Sequence, residues 1–168
     1  KINFKKKKKI ISFVGKLNAS KGYDIFGKSI IRILDEFKDW SSIVIGDEPR
    51  QKFFFKHSRL KLLGYKKNSY ILRKLKEVSI SVVPSKWDEP FGRSSLEASS
   101  RGCALIISDK GGLKETTNSA ILLKSLDKNE LYQNIKKLIQ NESYRKKIQR
   151  NTYKNFYLTN KFITKKID

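Results

Sequence analysis

The sequence has little cysteine and little histidine: Cys103 and His57 are the single examples among its 168 residues. One cysteine excludes an internal disulfide framework and a thiolate metal cluster, and it favours a reducing compartment. One histidine argues against a histidine-rich metal site within this chain. We therefore expect no metal site, and we expect a cytoplasmic protein.

Long apolar runs are also missing. No run approaches the roughly 20 residues that a membrane-spanning helix needs. A signal peptide is not expected either, because the basic start "KINFKKKKKIISFVG" has a short apolar stretch and no cleavage site. The hydrophobic content of 38% is ordinary for a folded protein, and the length fits one domain with a proper core.

Acidic residues are few, with 16 Asp and Glu against 38 Lys and Arg, which gives a formal net charge of +22. Such a surface is expected to attract phosphates, nucleic acid or anionic lipid headgroups. The alternative is compositional, because a genome poor in G and C enriches lysine, isoleucine and asparagine. Many of the lysines would then be merely solvated.

Short apolar runs alternate with amphipathic stretches along the chain. We expect strands over 10–15, 41–47, 60–65, 80–85, 103–109 and 119–124, helices over 22–37, 70–78, 93–102, 127–141 and 143–156, and a short helical turn over 112–116. Asp127 is the expected N-cap of its helix. The charged residues 1–9 are expected to form an extended basic linker, which leaves 10–168 as the domain.

Buried strands that alternate with helices are typical of an α/β protein whose parallel sheet is covered on both faces. We therefore predict a Rossmann-like doubly wound parallel sheet of about six strands. Ligands of such sheets bind at the carboxyl ends of the strands. The loops after Val14, Ile45, Val83 and Ile107 should accordingly share one rim.

The loop "GKLNASKG", from Gly15 to Gly22, carries Lys16 and Lys21 just before a predicted helix. It matches neither a Walker A loop nor a G-x-G-x-x-G fingerprint. Two ammonium groups beside the free amides of a helix N-terminus would suit a diphosphate. However, any loop of so basic a chain contains lysines, and on this loop alone solvated lysines are the stronger interpretation.

A second loop, "SKWDEPFGRSSLEAS", places two acids on either side of Pro-Phe-Gly. Pro90 keeps Glu89 out of a helix, and the helix can start only after Gly92, which puts Glu97 in its first turns. The acids should be somewhat less than about 12 Å apart, too far to act on one bond as the carboxylates of retaining glycosidases do at about 5 Å. The spacing suits an elongated ligand with hydroxyls at both ends and phosphates between them, such as a nucleotide-sugar.

Structural interpretations of the same residues are open. "SSLE", from Ser94 to Glu97, matches the S-x-x-E capping box, and we weigh capping and ligand binding equally for Glu97. Glu89 could be a solvated loop acid, and Trp87 could cover the core.

The segment "PSKWDEPFGRSSLEASSRGCALIISDKGGLKET" resembles the donor-binding signature of family 4 glycosyltransferases, the retaining GT-B group with a Glu-x7-Glu motif. "FVGKLNASKGYD" is similar to the phosphate loop of the same family. The resemblance extends from about Ile10 to Asn141, and the block from Glu-Pro-Phe-Gly to Gly-Gly is its most specific part. It implies the carboxyl-terminal donor-binding half of a GT-B enzyme.

The resemblance implies a role for each matching residue of the first loop. Lys16 and Lys21, within the loop bounded by Gly15 and Gly22, would hold the donor diphosphate and stabilise the charge that develops on it. Lys16 stands where the family commonly has arginine, so a bidentate contact becomes a point charge.

The resemblance also implies roles in the second loop. Glu89 would contact hydroxyls of the transferred sugar, and with the two lysines it completes the expected catalytic set. Phe91, Gly92 and Arg93 would present backbone amides to phosphate or sugar, although Arg93 departs from an often aliphatic position. Glu97 would accept hydrogen bonds from the ribose, and the base would lie near the turn at 64–65.

The implied activity is retaining transfer of a hexosyl group from a UDP- or GDP-sugar to a glycan or lipid-linked acceptor, without metal or another cofactor. The amino-terminal acceptor domain is missing, so this fragment alone is expected to be inactive. A peripheral contact with the anionic inner face of the membrane is expected, and specific nucleic-acid binding is not. The alternative function is a basic Rossmann-like nucleic-acid-binding module without catalysis.

Overall fold

A computed structural model describes residues 2–157. In this range six strands form one sheet: β1 (Lys8–Val14), β2 (Ser41–Ile45), β3 (Leu60–Leu62), β4 (Val78–Val83), β5 (Ala104–Ser108) and β6 (Ile121–Leu123). Its helices are α1 (Tyr23–Glu36), α2 (Asn68–Leu75), α3 (Arg93–Ser100), α4 (Lys128–Gln140) and α5 (Glu142–Lys154), with 3-10 turns at Phe4–Lys6 and Gly112–Glu115. The strand order is β3-β2-β1-β4-β5-β6, and every neighbouring pair is parallel. This order is that of a doubly wound Rossmann sheet, which confirms the predicted fold class.

The strands bury side chains on both faces because successive residues point to opposite sides of the sheet. In β2, Val44 packs on one face while its neighbours Ile43 and Ile45 pack on the other. In β5, Ile106 and Ile107 divide in the same way. This double burial explains why the strands read as continuous apolar runs in the sequence.

Amphipathic helices cover the two faces. Ile30 of α1 and Ile135 of α4 are fully buried in the core on one face, and Leu75 of α2 and Ala98 of α3 are fully buried on the other. The predicted N-cap of α4 is confirmed, because the Asp127 carboxylate accepts hydrogen bonds from two backbone amides of the first turn.

The amino-terminal segment differs from the extended linker that we expected. Residues 4–6 form a 3-10 turn, and β1 begins at Lys8. The Lys7 ammonium donates to the backbone carbonyls of Leu75, Val78 and Arg101 at 2.7–3.1 Å. Burial lowers the pKa of Lys7. This lysine therefore joins the end of α2, the start of β4 and the end of α3, although its sequence context looks like a solvated lysine run.

The limits of the domain stay predictions, since residues 1 and 158–168 lie outside the described part of the chain. No helix within residues 2–157 has both the length and the apolar character needed to cross a bilayer.

Candidate functional site

Two loops meet where β1 and β4 end side by side. The first follows Val14, and the second follows Val83. Gly22 closes the first loop in the left-handed region, with φ of 72°, and a Cβ there would lie 2.0 Å from the carbonyl oxygen of Pro84. The amide of Lys86 donates to the carbonyl of Ser20 at 2.8 Å. The glycine that sequence analysis placed at the helix start is therefore required for contact between the loops.

The segment after β2 supports the first loop from its other side. The Glu48 carboxylate accepts hydrogen bonds from the Asn18 amide at 3.3 Å and from Arg50 Nε at 2.9 Å. Bonding to Arg50 lowers the pKa of Glu48 to about 2, so this carboxylate is ionised at neutral pH. No sequence pattern indicates this support, because Asn18 and Glu48 come from different loops.

A cavity of about 150 Å³ lies between the two site loops. Five residues that we predicted for the site line it: Gly15, Lys21, Glu89, Gly92 and Arg93. Lys21 Nζ lies 2.5 Å from Glu89 Oε1, and the Glu89 side chain is only 13% exposed. Glu89 is therefore not a solvated loop acid, and Lys21 is not merely a solvated lysine.

The start of α3 provides the amide edge of this cavity. Gly92 has a φ of 64° and precedes the first helical residue, Arg93, as the Pro-Phe-Gly spacing predicted. The amides of the first helical turn have no carbonyl partner within the helix, and the helix dipole adds positive potential there. This end of α3 can therefore receive an anion.

Glu97 lies one turn into α3 and does not form a capping box. Its Oε1 accepts hydrogen bonds from Asn68 Nδ2 at 2.6 Å and from Arg93 Nε at 2.8 Å. Ser94 is inside the helix, and its hydroxyl donates to the carbonyl of Val14. The capping interpretation was wrong because the positive φ of Gly92 starts the helix two residues before Ser94. The contact of Asn68 with Glu97 could not be predicted from the sequence, because no spacing rule connects residues 29 positions apart.

Other predicted residues lie at or beyond the edge of the cavity. Lys16 is exposed and is not among the residues that line it. The side chain of Phe91 is 64% exposed, and that of Trp87 is 60% exposed, so Trp87 does not cover the core. Gly64 is close to the rim, because its carbonyl accepts a hydrogen bond from the amide of Gly46 at the end of β2.

The chain resembles known proteins in sequence and in structure. It is 33% identical over 111 residues to an uncharacterized 42.6 kDa protein in the cps region of Klebsiella pneumoniae, an alignment that covers 64% of this chain and 28% of that protein. The C-terminal domain of a glycosyl transferase group 1 family protein (LpcC) from Francisella tularensis has a TM-score of 0.76 at 24% identity, with 95% of this chain and 85% of that one covered.

A third match is Anabaena Alr3699/HepE, solved in complex with UDP, with a TM-score of 0.78 at 19% identity and coverage of 95% of this chain and 48% of that one. The fold is thus that of GT-B carboxyl-terminal domains. The chain spans only 28% to 32% of the length of the curated relatives that it matches. The family model described as glycosyl transferases group 1 matches residues 1–155. The chain therefore belongs to the group 1 glycosyl transferases.

Proposed function

We propose that this chain is the nucleotide-sugar-binding half of a retaining glycosyltransferase. The enzyme transfers a hexosyl group from a UDP- or GDP-sugar to a glycan or lipid-linked acceptor. The observation that carries the proposal is the Lys21–Glu89 pair in a cavity bounded by the start of α3, with the Glu97 carboxylate one turn further along that helix. The Lys21 ammonium group and the amides of α3 suit a diphosphate. Glu89 suits the hydroxyls of the sugar, and Glu97 suits those of the ribose.

In this proposal the protein stabilises the charge that develops on the departing diphosphate. Lys21 supplies a full positive charge, and the first amides of α3 supply preorganised donors. Lys16, exposed at the mouth of the first loop, and Arg93, at the cavity wall, add charge at longer range. Because cations of the chain fill this role, the proposed reaction requires no metal and no further cofactor.

Glu89 has a second role toward the transferred sugar. Its carboxylate oxygens accept hydrogen bonds and can hold sugar hydroxyls. Same-face attack by the acceptor, with the departing diphosphate taking the proton, completes transfer with retention. The groups that bind the acceptor belong to an amino-terminal domain outside this chain, so the fragment alone is proposed to be inactive.

We place the enzyme in the cytoplasm, with a peripheral contact at the inner face of an anionic membrane. The basic surface, at a formal charge of +22, favours such a contact. Membership of a glycosyltransferase family does not favour the nucleic-acid-binding alternative, and we propose no specific nucleic-acid partner.

The function is tested by measuring thermal melts and calorimetric binding with UDP, GDP and ADP, each free and attached to hexoses. A ligand at about ten times its dissociation constant should raise the free energy of unfolding by about 1.4 kcal/mol, and the melting temperature by about 3–6 °C. We expect UDP or GDP to bind and no sugar to be transferred. Failure of every nucleotide, together with oligonucleotide binding that falls steeply with salt, would favour the alternative. Transfer by this chain alone would contradict the two-domain part of the proposal.

Glu89→Gln should alter the preference of the site for sugar-bearing ligands. The Lys21 ammonium group donates a hydrogen bond to the Glu89 carboxylate, so a diphosphate competes with this carboxylate for the ammonium group. The neutral variant should bind the free nucleoside diphosphate about 3–10-fold more tightly, because a like charge leaves the site. It should bind the nucleotide-sugar no better than wild type, since the carboxylate that holds the sugar is lost.

The ratio of the two dissociation constants, measured by calorimetry, checks this expectation. Glu142→Gln removes the same charge from the exposed face of α5 and serves as the control. An unchanged ratio in Glu89→Gln would show that Glu89 has no part in sugar recognition.

A further inference from the structure

Residues 49–76 contain ten lysines and arginines and no acidic residue. The segment includes β3, an edge strand of the sheet, and the long loop that precedes it. The proposed donor site does not use the outer surface of this loop. A strongly basic segment at the sheet edge therefore needs its own explanation, although the Asp35 carboxylate of α1 lies 3.3 Å from His57 Nε2 of this segment.

Three large side chains of this segment are exposed, and one of them, Tyr65, is 73% exposed after β3. The other two are apolar and lie together. Phe54 is 79% exposed and Leu62 is 50% exposed. They lie eight positions apart in the sequence but line one shallow cavity of about 500 Å³, together with Lys56. The neighbours Phe53 and Phe55 instead turn inward, where both pack edge-on against Tyr23. The inward packing of its neighbours fixes Phe54 as the outward residue of an otherwise anchored loop.

Two lysines flank Phe54, each two positions away from it in the sequence. Lys52 and Lys56 are exposed, and the described part of the chain offers neither of them an ion pair. By contrast, Arg59 of the same segment donates to backbone carbonyls of the core side, and Arg50 pairs with Glu48. The charges of the two lysines are thus available to an external anion. We refer to Lys52, Phe54, Lys56 and Leu62 as the Phe54 surface.

We propose that the Phe54 surface docks on an anionic lipid bilayer. Phe54 and Leu62 insert to the depth of the headgroups, and the two lysines contact lipid phosphates. Apolar side chains with lysines beside them are what an anionic interface binds, since apolar burial and charge attraction add. A single-stranded nucleic acid suits this surface less well, because stacking needs successive exposed rings, and among the residues that line this cavity Phe54 alone has an exposed ring.

The position of the surface is compatible with the proposed function. The donor cavity lies at the ends of β1 and β4, whereas the Phe54 surface lies at the β3 edge, with β2 between β3 and β1. Docking at this edge would hold the donor site beside the membrane without occupying it. The Phe54 surface would provide the membrane contact of the proposed function, and its biological role rests on that function. Lipid binding itself can be measured without any nucleotide.

The test is sedimentation of the chain with vesicles of phosphatidylglycerol and phosphatidylcholine in equal amounts, compared with vesicles of phosphatidylcholine alone. We expect binding to the anionic vesicles only. Each lysine at an anionic surface contributes about a fivefold change in partitioning, so the double variant Lys52→Gln, Lys56→Gln should bind about 25-fold more weakly. Phe54→Ser should bind about tenfold more weakly, since the apolar contact is lost.

A matched set of controls lies at and just after β6, the opposite edge strand of the sheet. Lys124 and Lys128 are exposed lysines without ion pairs among the described residues, and Leu122 of β6 is 45% exposed. Replacing these two lysines with glutamine removes the same net charge, and Leu122→Ser removes a similar apolar group. We expect both control variants to bind vesicles within about fivefold of wild type, because the charges lie away from the docked face.

Insertion is measured separately with a fluorescent reporter. Phe54→Trp in a Trp87→Phe background should shift its emission to shorter wavelength on anionic vesicles, while Leu122→Trp in the same background should not. Trp40 is buried and contributes a constant signal. Melting curves and nucleotide affinity are measured on every variant. A variant that loses vesicle binding but keeps nucleotide binding would show that lipid binding does not depend on the donor site.

Several results would overturn the inference. One is the absence of binding to anionic vesicles by the wild-type chain. Another is an equal loss in the control variant of Lys124 and Lys128, which would assign binding to overall charge. A third is wild-type vesicle binding by Phe54→Ser with no emission shift, which would exclude insertion. The last is a Lys52→Gln, Lys56→Gln variant that keeps vesicle binding but loses affinity for a single-stranded oligonucleotide, which would make this a nucleic-acid surface.

Discussion

Lys21→Ala is expected to weaken binding of the nucleoside diphosphate by about 10–100-fold, because a hydrogen bond to a charged group contributes about 1.5–3 kcal/mol. The Lys21 ammonium lines the cavity beside the start of α3, where the phosphates are proposed to lie. Its removal leaves only the α3 amides and more distant cations to balance the phosphate charge. Calorimetric titration of wild type and variant with the same nucleotide measures the effect.

A loss of affinity must be separated from damage to the fold. Lys21→Ala leaves Glu89 without its ammonium partner in a site where this carboxylate is 13% exposed, and the melting temperature should fall slightly. The double variant Lys21→Ala, Glu89→Gln removes the orphaned charge as well. We expect it to recover the wild-type melting temperature but not the nucleotide affinity.

Lys16→Ala is the matched control for the loop. Lys16 lies in the same loop with the same charge, but it is exposed and does not line the cavity. We expect a loss of about threefold, as for a screened charge near the site. If Lys21→Ala binds the nucleotide with wild-type affinity, the lysines of this loop are merely solvated.

The arrangement of Lys21 and Glu89 shows what the sequence could predict. The alternation of apolar runs and amphipathic stretches was enough to place both residues at carboxyl ends of strands, and the parallel order then made those ends neighbours. Gly22 and Gly92 could be predicted as loop and helix limits because their conformations are local properties. The resemblance supplied the choice of residues within the loops.

The rest could not be predicted, because it depends on contacts between distant segments. Lys7 looks like one more lysine of a basic run, and only the folded chain brings three carbonyls to its ammonium group. Glu48, in the loop after β2, and Asn68, at the start of α2, support the site from segments that no periodicity links to it. The capping-box pattern was misleading for a related reason, since a glycine two residues earlier decides where the helix begins.

Glu97 provides the sharpest test of the ligand. In residues 2–157 its hydrogen bonds go to Oε1, from Asn68 and Arg93, and these two donors orient the carboxylate. Glutamine keeps one acceptor oxygen for Asn68 and loses the ion pair with Arg93, whose side chain is 73% exposed. Such an i, i+4 pair on a helix contributes about 0.3–0.5 kcal/mol, so the free energy of unfolding should change by no more than about 0.5 kcal/mol.

The expected effect on the nucleotide is larger. The second carboxylate oxygen can accept from a ribose hydroxyl, whereas the glutamine amide would present N–H groups at that place. Glu97→Gln should therefore lose about 1–2 kcal/mol of nucleotide affinity, which is a factor of about 5–30 in the dissociation constant. Glu97→Ala should lose affinity to a similar degree and also some stability, because Asn68 would lose its acceptor.

A double-mutant cycle between Glu97 and the 2′-hydroxyl of the ligand shows whether Glu97 contacts the ribose. The wild-type chain and Glu97→Gln are each titrated with the nucleotide that binds best and with its 2′-deoxy analogue. If Glu97 holds the ribose, removal of the 2′-hydroxyl should weaken the wild type but hardly affect the variant, and the coupling should be about 0.5–3 kcal/mol, as for groups in contact. Equal losses in both proteins would mean that Glu97 only orients Asn68 and Arg93. We expect coupling, because Asn68 and Arg93 both donate to Oε1 of Glu97, which leaves Oε2 to accept a hydrogen bond from the ribose.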